Sequence, residues 1–420
     1  MKIEELYKLY CTSHLVDTDS RKIRNGSIYF ALKGENFNGN IFAIDALKNG
    51  ASYAVIDDAK YNINSKTILV ENALEELQNL ANFHRKQLDI PIISLTGSNG
   101  KTTTKELINA VLRQKYNTVA TSGNLNNHIG VPLTILSMTP TTEIGIVEMG
   151  ANHVKEIEFL CHIAKPNFGY ITNFGKAHLE GFGGVKGIIK GKSELYDSLR
   201  NSGGIAFLNK DDKLQLKQAK GIKSIYFNQE KIEFKEASPF VIIQFKNIQI
   251  KSRLIGKYNY TNIAAAIAIG DYFKVSTQNI KNAIENYTPT NNRSQIIEKG
   301  STRIILDAYN ANPTSMQAAL ENFHQLKDSR KIVFLGDMFE LGEDSKKEHQ
   351  KIADLAIHYN FDKIYLIGKA FSNTKAKDAF IYDSFENFKT SFNGHLQINN
   401  ATVLIKGSRG MALERVLDLF

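Results

Sequence analysis

The sequence has little of what defines several classes of protein. Its 420 residues include only two cysteines, Cys11 and Cys161, which stand far apart and outside any paired spacing. Neither a disulfide framework nor a cysteine metal site is therefore predicted, and two buried thiols are expected. No apolar run approaches the roughly 18 residues that a membrane-spanning helix needs. The chain begins with acidic residues where a secretory signal would be basic, so we expect a cytoplasmic protein without a membrane span.

A basic tract with interleaved aromatic residues is also missing. Lys and Arg together number 52 and Asp and Glu 43, which gives a formal charge of +9, but the basic residues are dispersed as singles and pairs. Such a surface suits anionic small molecules as well as it suits nucleic acid. We therefore expect no nucleic-acid partner.

Hydrophobic patterning divides the chain into three α/β domains, the number that its length predicts at roughly 150 residues each. Short β-rich runs separated by turn residues predict a small mixed α/β domain over residues 1–84, closed by a helix from 73 to about 88. Alternating apolar strands and helices predict a parallel-sheet domain over residues 85–289. The same alternation predicts a Rossmann-like domain over residues 290–420.

Apolar runs locate the individual strands of the two larger domains. The central domain is predicted to have strands at 92–96, 144–149, 169–172 and 205–208, and an antiparallel ribbon over 240–254. The last domain is predicted to have strands at 303–306, 331–335, 363–367 and 402–405, with helices after Pro313, from Asp344 and at the end of the chain. Ligands of open α/β sheets bind beyond the carboxyl ends of the strands, so we expect the functional residues there.

A glycine-containing loop follows the first strand of the central domain and leads into a predicted helix. The loop and the first helical turn comprise Gly97, Ser98, Asn99, Gly100, Lys101, Thr102 and Thr103. Glycines let backbone amides approach phosphate oxygens, Lys101 can reach the β- and γ-phosphates, and Thr102 can hold Mg²⁺. The spacing departs from the strict Walker motif because Leu95 stands five residues before Gly100. The strand-loop-helix context nevertheless favours nucleotide binding over a glycine turn with a surface lysine.

Three later residues are candidates for a metal site beside this loop. Glu148 ends an apolar strand, His178 follows the next strand, and Lys192 lies on a predicted helix. An acid at a buried strand end is costly unless it is paired or coordinates a cation. Taken singly, a hydrogen-bonded carboxylate, a satisfied histidine and a solvated lysine are simpler explanations. Their positions after successive strands of a nucleotide-binding sheet favour a role as ligands.

These runs resemble the central domain of the Mur ligases, which are ATP-dependent amide ligases of bacterial cell-wall synthesis. The resemblance rests on residues 96–103, 148–150, 173–179 and 192–194. Two further runs, 123–134 and 306–316, resemble the branch of the family that joins D-alanyl-D-alanine to UDP-N-acetylmuramoyl-tripeptide. The resemblance spans nearly the whole chain. It implies that reaction, with ATP and Mg²⁺ as cofactors, in the synthesis of peptidoglycan precursors.

The resemblance also implies roles for individual residues. It makes Lys101, Glu148, His178 and Lys192 catalytic. It places magnesium at Thr102, Glu148, His178 and Lys192, and the lysine matching Lys192 is often carbamylated in the family. The nucleotide would contact residues 97–103 and, in the last domain, Asn292, Arg293, Asp307, Tyr309 and Asn310. The substrates would contact Ser20, Arg21, Phe37, Asn38 and Gly39, which look like a uridine-diphosphate site, and Asn124, Asn126 and Asn127.

Some interpretations stay open at the level of sequence. Lys406, Ser408 and Arg409 follow the last strand and predict an anion contact for the dipeptide or the nucleotide, with a glycine turn bearing solvated cations as the alternative. Asn40 and Tyr258 stand where the family usually has histidine. The alternative functions are a Mur-type ligase for another amino acid, a P-loop nucleic-acid ATPase and a catalytically silent UDP-sugar-binding module. We expect a monomer.

Overall fold

The β-rich runs at the start of the chain form a small parallel sheet. The computed structural model describes residues 1–228 and 230–420. Its first elements are α1 (Ile3–Tyr10), β1 (Val16–Asp17), β2 (Ile28–Phe30), β3 (Lys33–Gly34), β4 (Phe37–Asn38), α2 (Ala43–Lys48), β5 (Tyr53–Ile56) and β6 (Thr67–Leu69). Strands β1, β2, β5 and β6 form a parallel sheet in that order, and β3 pairs with β4 in a short antiparallel hairpin. We call these elements the first unit.

Helix α3 (Ala73–Gln87) joins the first unit to the rest of the chain. Asn72 caps its start, because the side-chain oxygen accepts the backbone N–H groups of Leu74 and Glu75. Near its end, the buried Arg85 donates to the backbone carbonyls of Ala164 and Leu88, each at 2.8 Å. The predicted boundary between residues 84 and 85 falls inside this helix, and the division into functional domains stays a prediction.

A six-stranded parallel sheet forms the core of the central unit. Its elements are β7 (Ile92–Thr96), α4 (Lys101–Leu112), β8 (Thr118–Ala120), α5 (Gly130–Ile135), β9 (Ile144–Glu148), α6 (Glu156–Ala164), β10 (Phe168–Ile171), α7 (Leu179–Phe182), α8 (Val185–Ser202), β11 (Ile205–Asn209), α9 (Lys213–Gln218) and β12 (Lys223–Phe227). The strand order is β12-β11-β10-β7-β9-β8. Every residue of β7 is buried. Because β7 lies between β9 and β10, the loops that follow these three strands converge.

The central unit ends in an antiparallel sheet and two helices. They are β13 (Ile232–Ala237), β14 (Phe240–Phe245), β15 (Ile248–Ile255), α10 (Asn259–Tyr272) and α11 (Thr277–Asn286). The antiparallel ribbon predicted over 240–254 is confirmed as the pair β14 and β15. Every residue of α10 from Ile263 to Ile269 is apolar, and the helix packs against α4, so it fixes the helix that follows the glycine loop.

A second six-stranded sheet forms the third unit. Its elements are β16 (Gln295–Lys299), β17 (Thr302–Asp307), α12 (Pro313–Gln325), β18 (Lys331–Gly336), α13 (Ser345–His358), β19 (Lys363–Ile367), β20 (Phe380–Tyr382), α14 (Phe385–Ser391) and β21 (Thr402–Lys406). The strand order is β16-β17-β21-β18-β19-β20, with only β16 antiparallel to its neighbour among the described pairs. The predicted Rossmann-like alternation is confirmed.

The helix predicted at the end of the chain is present as a 3₁₀ helix, Leu413–Leu419. The expectation of two buried thiols was wrong for one of them. Cys161 is buried as expected, but Cys11 is exposed because α1 ends at Tyr10 and the next residue turns toward solvent. The predicted class, an α/β fold of three units with parallel sheets, is confirmed. Over residues 1–228 and 230–420, no helix combines the length and apolar character that crossing a bilayer requires.

Candidate active site

A cavity of about 790 Å³ lies between the central and third units. The glycine loop and the loops after β9 and β10 form one wall, and the loop after β17 forms much of the other. The predicted site residues that line it are Ser98, Asn99, Gly100, Lys101, Thr102, Thr103, Asn124, Asn126, Asn127, Glu148, His178, Arg293, Asp307, Tyr309, Asn310 and Lys406. The structure therefore brings together most of the residues predicted for the nucleotide and the metal.

Close packing explains the two glycines of the loop. Gly97 has φ 144°, and a Cβ atom added there would lie 1.9 Å from Thr172 Oγ1. Gly100 has φ 80°, and its added Cβ would lie 2.6 Å from Asn262 Oδ1. Other residues rarely adopt either conformation and would not fit the space. The loop thus leads tightly into α4, whose first turn faces the cavity with backbone N–H groups that favour an anion.

Lys101 is the cation of this loop. Its Nζ donates to the Gly97 carbonyl at 2.7 Å. Burial lowers its pKa, Glu148 opposes that shift, and the nearby Arg293 adds to it. Within the part of the chain that the structure describes, no carboxylate forms an ion pair with Lys101. An anionic ligand in the cavity would supply the missing negative charge.

Glu148, at the end of β9, has one free carboxylate oxygen. The residue is 1% exposed. Its Oε1 accepts hydrogen bonds from Thr102 Oγ1 at 3.1 Å and from Asn126 Nδ2 at 2.8 Å. Its Oε2 is buried and receives no hydrogen bond from any described residue. An unpaired buried carboxylate oxygen is costly, and Mg²⁺ prefers oxygen ligands, so Glu148 and Thr102 fit this ion.

His178 contacts the third unit and not Glu148. Its Nδ1 lies in close contact with the carboxylate of Glu340. His178 has φ 53° and lines the cavity. The contact with His178 lowers the pKa of Glu340. Among the described residues, no three His, Cys, Asp or Glu side chains cluster as metal ligands. The predicted place of His178 in a magnesium site stays a prediction.

Lys192, on α8, is buried beside the cavity and does not line it. It is only 1% exposed, so the reading of this residue as a solvated lysine was wrong. Its Nζ lies 5.1 Å from the centroid of the Phe182 ring and has no hydrogen-bond or ion-pair partner in the described chain. Burial lowers its pKa far below the usual range, and the charge of Lys101 lowers it further. Burial thus favours the neutral amine over the ammonium.

Arg293 is the second cation that faces the cavity without an anionic partner among the described residues. Its guanidinium lies 3.7 Å from the centroid of the Tyr309 ring, and its buried Nε has no hydrogen-bond partner in residues 1–228 and 230–420. Asn292, just before it, does not line the cavity, but its carbonyl accepts the Tyr309 N–H at 3.1 Å. The Tyr309 ring thus supports the guanidinium, whose N–H groups suit an anionic ligand.

The three residues predicted for an anion contact after β21 are engaged within the chain. Lys406 forms an ion pair with Asp307 at 2.5 Å. Ser408 Oγ accepts the Phe339 N–H at 2.9 Å and donates to the Ala311 carbonyl at 3.3 Å. The Arg409 side chain is 61% exposed and pairs with Glu414 at 2.8 Å. Only Lys406 of the three lines the cavity, and their role toward an anion stays a prediction.

The residues predicted for the uridine-diphosphate site lie in the first unit and do not line this cavity. They are Ser20, Arg21, Phe37, Asn38 and Gly39. The Arg21 side chain is 84% exposed and pairs with Asp19, and the Phe37 ring stacks on Phe42 with centroids 5.6 Å apart.

Asn40 and Tyr258, the two departures from the family pattern, both form internal hydrogen bonds. Asn40 Nδ2 donates to Asp57 Oδ1 at 2.7 Å, and Asn40 Oδ1 accepts the Asp57 N–H at 3.0 Å. Tyr258 Oη lies 2.8 Å from Ser294 Oγ, which joins the residue before α10 to the residue before β16. Asn40 therefore shapes the turn beside β5, whereas Tyr258 lines the cavity.

Contacts that the sequence did not predict hold the third unit against the glycine loop. Asn312 Nδ2 donates to Asn99 Oδ1 at 2.7 Å. Lys176, in the loop after β10, donates its backbone N–H to Thr314 Oγ1 at 2.9 Å and its Nζ to Glu348 Oε1 at 2.7 Å. Each pair joins residues more than a hundred positions apart, so no local pattern could reveal it. Asn312 alone gave a signal, because Asn-Pro predicts the start of α12.

Acid is expected to loosen this contact. Burial raises the pKa of the Glu348 carboxyl, but Lys176 and Lys351 together outweigh it and the net pKa is lowered. The contact with His178 lowers the pKa of Glu340. Each carboxylate therefore stabilises the docked state at pH values above its unfolded pKa. That stabilisation is lost as the pH falls through the lower pKa of the folded state. Because Lys176 and Glu340 are partly exposed, we expect about 1 kcal/mol or less per pair.

Hydrogen exchange of residues 173–178, measured from pH 6 down to pH 3, checks this expectation. Exchange, corrected for its intrinsic pH dependence, should rise as the pH falls through the lowered pKa values. Glu348→Gln should show faster exchange at pH 6 and a smaller further rise. An exchange profile identical to wild type at every pH would contradict the assignment.

The comparisons with known proteins agree with this geometry. Three family models match the chain: "Mur ligase family, catalytic domain" over residues 12–96, "Mur ligase middle domain" over 95–270, and "Mur ligase, glutamate ligase domain" over 292–409. The fold and the cavity thus belong to a known class of ligase. The chain is a member of the Mur ligase family, and the resemblance inferred from its sequence is confirmed.

Individual relatives match over nearly their whole length. The UDP-N-acetylmuramoyl-tripeptide--D-alanyl-D-alanine ligase of Bacillus subtilis (strain 168) is 35% identical, with 96% of this chain and 92% of the relative covered. The enzyme of the same name from Escherichia coli (strain K12) is 32% identical, with 98% and 95% covered. Among solved structures, MurF from Acinetobacter baumannii has a TM-score of 0.82 at 30% identity, covering 96% of this chain and 92% of that one. MurF ligase from Thermotoga maritima in complex with ADP has a TM-score of 0.84 at 27% identity, covering 97% and 96%.

Proposed function

We propose that the chain is an ATP-dependent ligase that joins D-alanyl-D-alanine to UDP-N-acetylmuramoyl-tripeptide in the synthesis of peptidoglycan precursors. Relatives at 35% and 32% identity bear the name of this reaction, and a related structure contains ADP. The observation that carries the proposal is the cavity, where two cations without anionic partners in the described chain, Lys101 and Arg293, lie with the free oxygen of Glu148. This arrangement suits nucleotide phosphates and a divalent ion.

The chemistry explains why cations surround the cavity. Joining a carboxylate to an amine in water is uphill, so the tripeptide carboxylate first attacks the γ-phosphorus of ATP and the bond to ADP breaks. The neutral amine of the dipeptide then attacks the carbonyl carbon of the acyl phosphate, the bond from that carbon to the phosphate oxygen breaks, and the nitrogen gives up one proton to solvent. The first step brings two anions together, and Lys101 and Arg293 offset their charge. Bound Mg²⁺, held by Thr102 and Glu148, would neutralise further charge on the phosphates.

The three predicted domains divide this work. We assign binding of the UDP-sugar to residues 1–84 and binding of ATP to residues 85–289. Residues 290–420 would close over the bound nucleotide and bind the dipeptide. The third unit, docked on the glycine loop through Asn312 and Lys176, would exclude water and protect the acyl phosphate from hydrolysis. The buried amine of Lys192 is proposed to carry a carbamate that faces the magnesium site.

A product assay tests the proposed reaction. With ATP, Mg²⁺ and UDP-N-acetylmuramoyl-tripeptide, the purified chain is expected to release ADP and phosphate only when D-alanyl-D-alanine is added. Tripeptides with diaminopimelate or lysine at the third position should be compared, and single amino acids offered as acceptors. Preference for a single amino acid would favour another Mur-type ligase. ATP hydrolysis stimulated by nucleic acid would favour the P-loop ATPase alternative.

Isotope transfer tests the order of the chemical steps. When both oxygens of the tripeptide's terminal carboxylate are ¹⁸O, one is expected to appear in the released phosphate, because it becomes the bridging oxygen of the acyl phosphate. The other should remain in the new amide. Mass spectrometry of phosphate and product measures both. Phosphate without label would exclude the acyl phosphate, whatever the rate of ligation.

A further inference from the structure

The segment that connects the central unit to the third unit is tied to the helix after the glycine loop. We call residues 287–294, between α11 and β16, the linker. Glu106 lies on α4, five residues after Lys101. Its Oε2 accepts a hydrogen bond from Tyr287 Oη at 2.5 Å, and its Oε1 accepts one from Asn291 Nδ2 at 3.1 Å. Both oxygens of this one carboxylate therefore hold the linker.

The other end of the linker is held from both units. Ser294 Oγ lies 2.8 Å from Tyr258 Oη of the central unit. The Ser294 N–H donates to Asp307 Oδ1 at 3.0 Å in the third unit, and the Asn292 carbonyl accepts the Tyr309 N–H at 3.1 Å. The linker is thus fixed on either side of Arg293.

The backbone around Arg293 needs this support. Asn292 and Ser294 each have φ 55°, in the left-handed region that residues other than glycine seldom adopt. Such conformations persist only where surrounding contacts impose them. They direct the Arg293 side chain onto the Tyr309 ring, at the cavity wall. The charge of Arg293 also contributes to the lowered pKa of Lys101, so the two cations act on one volume.

We propose that Glu106 is a positioning residue for Arg293. By holding Tyr287 and Asn291 against α4, it fixes the path of the linker and hence the place of the guanidinium opposite Lys101. Glu106 does not line the cavity, so it does not act on a ligand directly. Besides the linker, its carboxylate lies near only Lys105 among the described residues, with Oε1 3.8 Å from Lys105 Nζ. The inference rests on the proposed function, in which Arg293 meets the phosphates of ATP.

Kinetics with separate substrates distinguish positioning from general stability. Glu106→Gln leaves a single acceptor oxygen, and it is expected to raise the KM for ATP about fivefold or more while the KM for the UDP-substrate stays unchanged. Tyr287→Phe removes one hydroxyl, conserves packing and should change the same constant in the same direction. Glu285→Gln is the matched control, because Glu285 on α11 pairs with Lys281 at 3.0 Å and does not touch the linker. It should keep both wild-type KM values.

A double-mutant cycle with Arg293→Ala tests the coupling directly. If Glu106 acts through Arg293, Glu106→Gln should weaken ADP binding in the wild-type background but add little once Arg293 is absent, as measured by calorimetry. Fully additive losses, equal rises in both KM values with a lowered melting temperature, or no ADP binding at all would overturn the inference. A wild-type chain that binds ADP but does not ligate would refute the proposed function alone, because the calorimetric cycle still decides the role of Glu106.

Discussion

Replacing Lys101 by alanine is expected to abolish ligation. Its ammonium is the cation of the glycine loop, partly buried and without a carboxylate partner in the described chain, and it donates only to the Gly97 carbonyl. In the proposed reaction it offsets charge on the β- and γ-phosphates as the carboxylate attacks. Removing such a contact typically costs about 10²–10³-fold in rate, or about 3–4 kcal/mol of transition-state stabilisation.

Steady-state release of phosphate measures this loss. Lys101→Met, which keeps the length of the apolar stem, should be as inactive as Lys101→Ala if the charge is what matters. Lys210→Ala serves as the control, because Lys210 is exposed in the turn after β11 and should leave the rate unchanged. A folded Lys101→Ala protein that retains more than about a tenth of wild-type activity would refute the role.

Replacing Lys192 by alanine is expected to reduce activity by roughly 10–100-fold, the usual cost of losing a group that supports a metal site. An ammonium beside Mg²⁺ would repel it, but burial favours the neutral amine. That amine can form a bond to the carbon of CO₂ and release one proton to solvent. The resulting carbamate carries a negative charge and two oxygen atoms where the side chain was cationic.

Chemical rescue and labelling test the carbamate. Formate or acetate should partly restore Lys192→Ala by occupying the vacated volume with a carboxylate. The wild-type protein equilibrated with ¹³C-bicarbonate should show a carbamate carbon in its NMR spectrum, and Lys192→Ala should lack it. Lys190→Ala is the control, since Lys190 is exposed on the same helix. An unlabelled Lys192 together with near-normal activity of Lys192→Ala would refute the idea.

Local patterns were enough to predict much of the fold. The strand predicted at 92–96 is β7, with the same first and last residues. The loop from Gly97 leads into α4 at Lys101, as expected. Buried parallel strands are continuous apolar runs, and a glycine loop between a strand and a helix is a local feature. Strands β16 and β20 are among those that were missed. One alternates only weakly in Gln295–Lys299, and the other has three residues, so neither run has a clear period.

The candidate site was predicted less completely because much of it depends on distant contacts. The sequence identified Glu148 and Lys101, but not that Asn126 and Thr102 would occupy one carboxylate oxygen and leave the other free. It did not indicate that Lys192 would be buried. The same helix carries Lys186 and Lys190, which are exposed, so the residue type does not distinguish the buried lysine. Glu106 gave no signal at all, because its partners are about 180 residues away in sequence. Burial and pairing of this kind arise only when the units pack.

The hydrogen bond between Asn99 and Asn312 couples nucleotide binding to docking of the third unit. Asn99 belongs to the loop that would hold the phosphates, and its side-chain oxygen also accepts from the cap of α12. Any factor by which a bound nucleotide tightens docking of the third unit must equal the factor by which docking tightens nucleotide binding. Asn312→Ala should therefore weaken ADP affinity from a position outside the phosphate loop. An excised central unit would bind nucleotide more weakly than the full chain by that same factor.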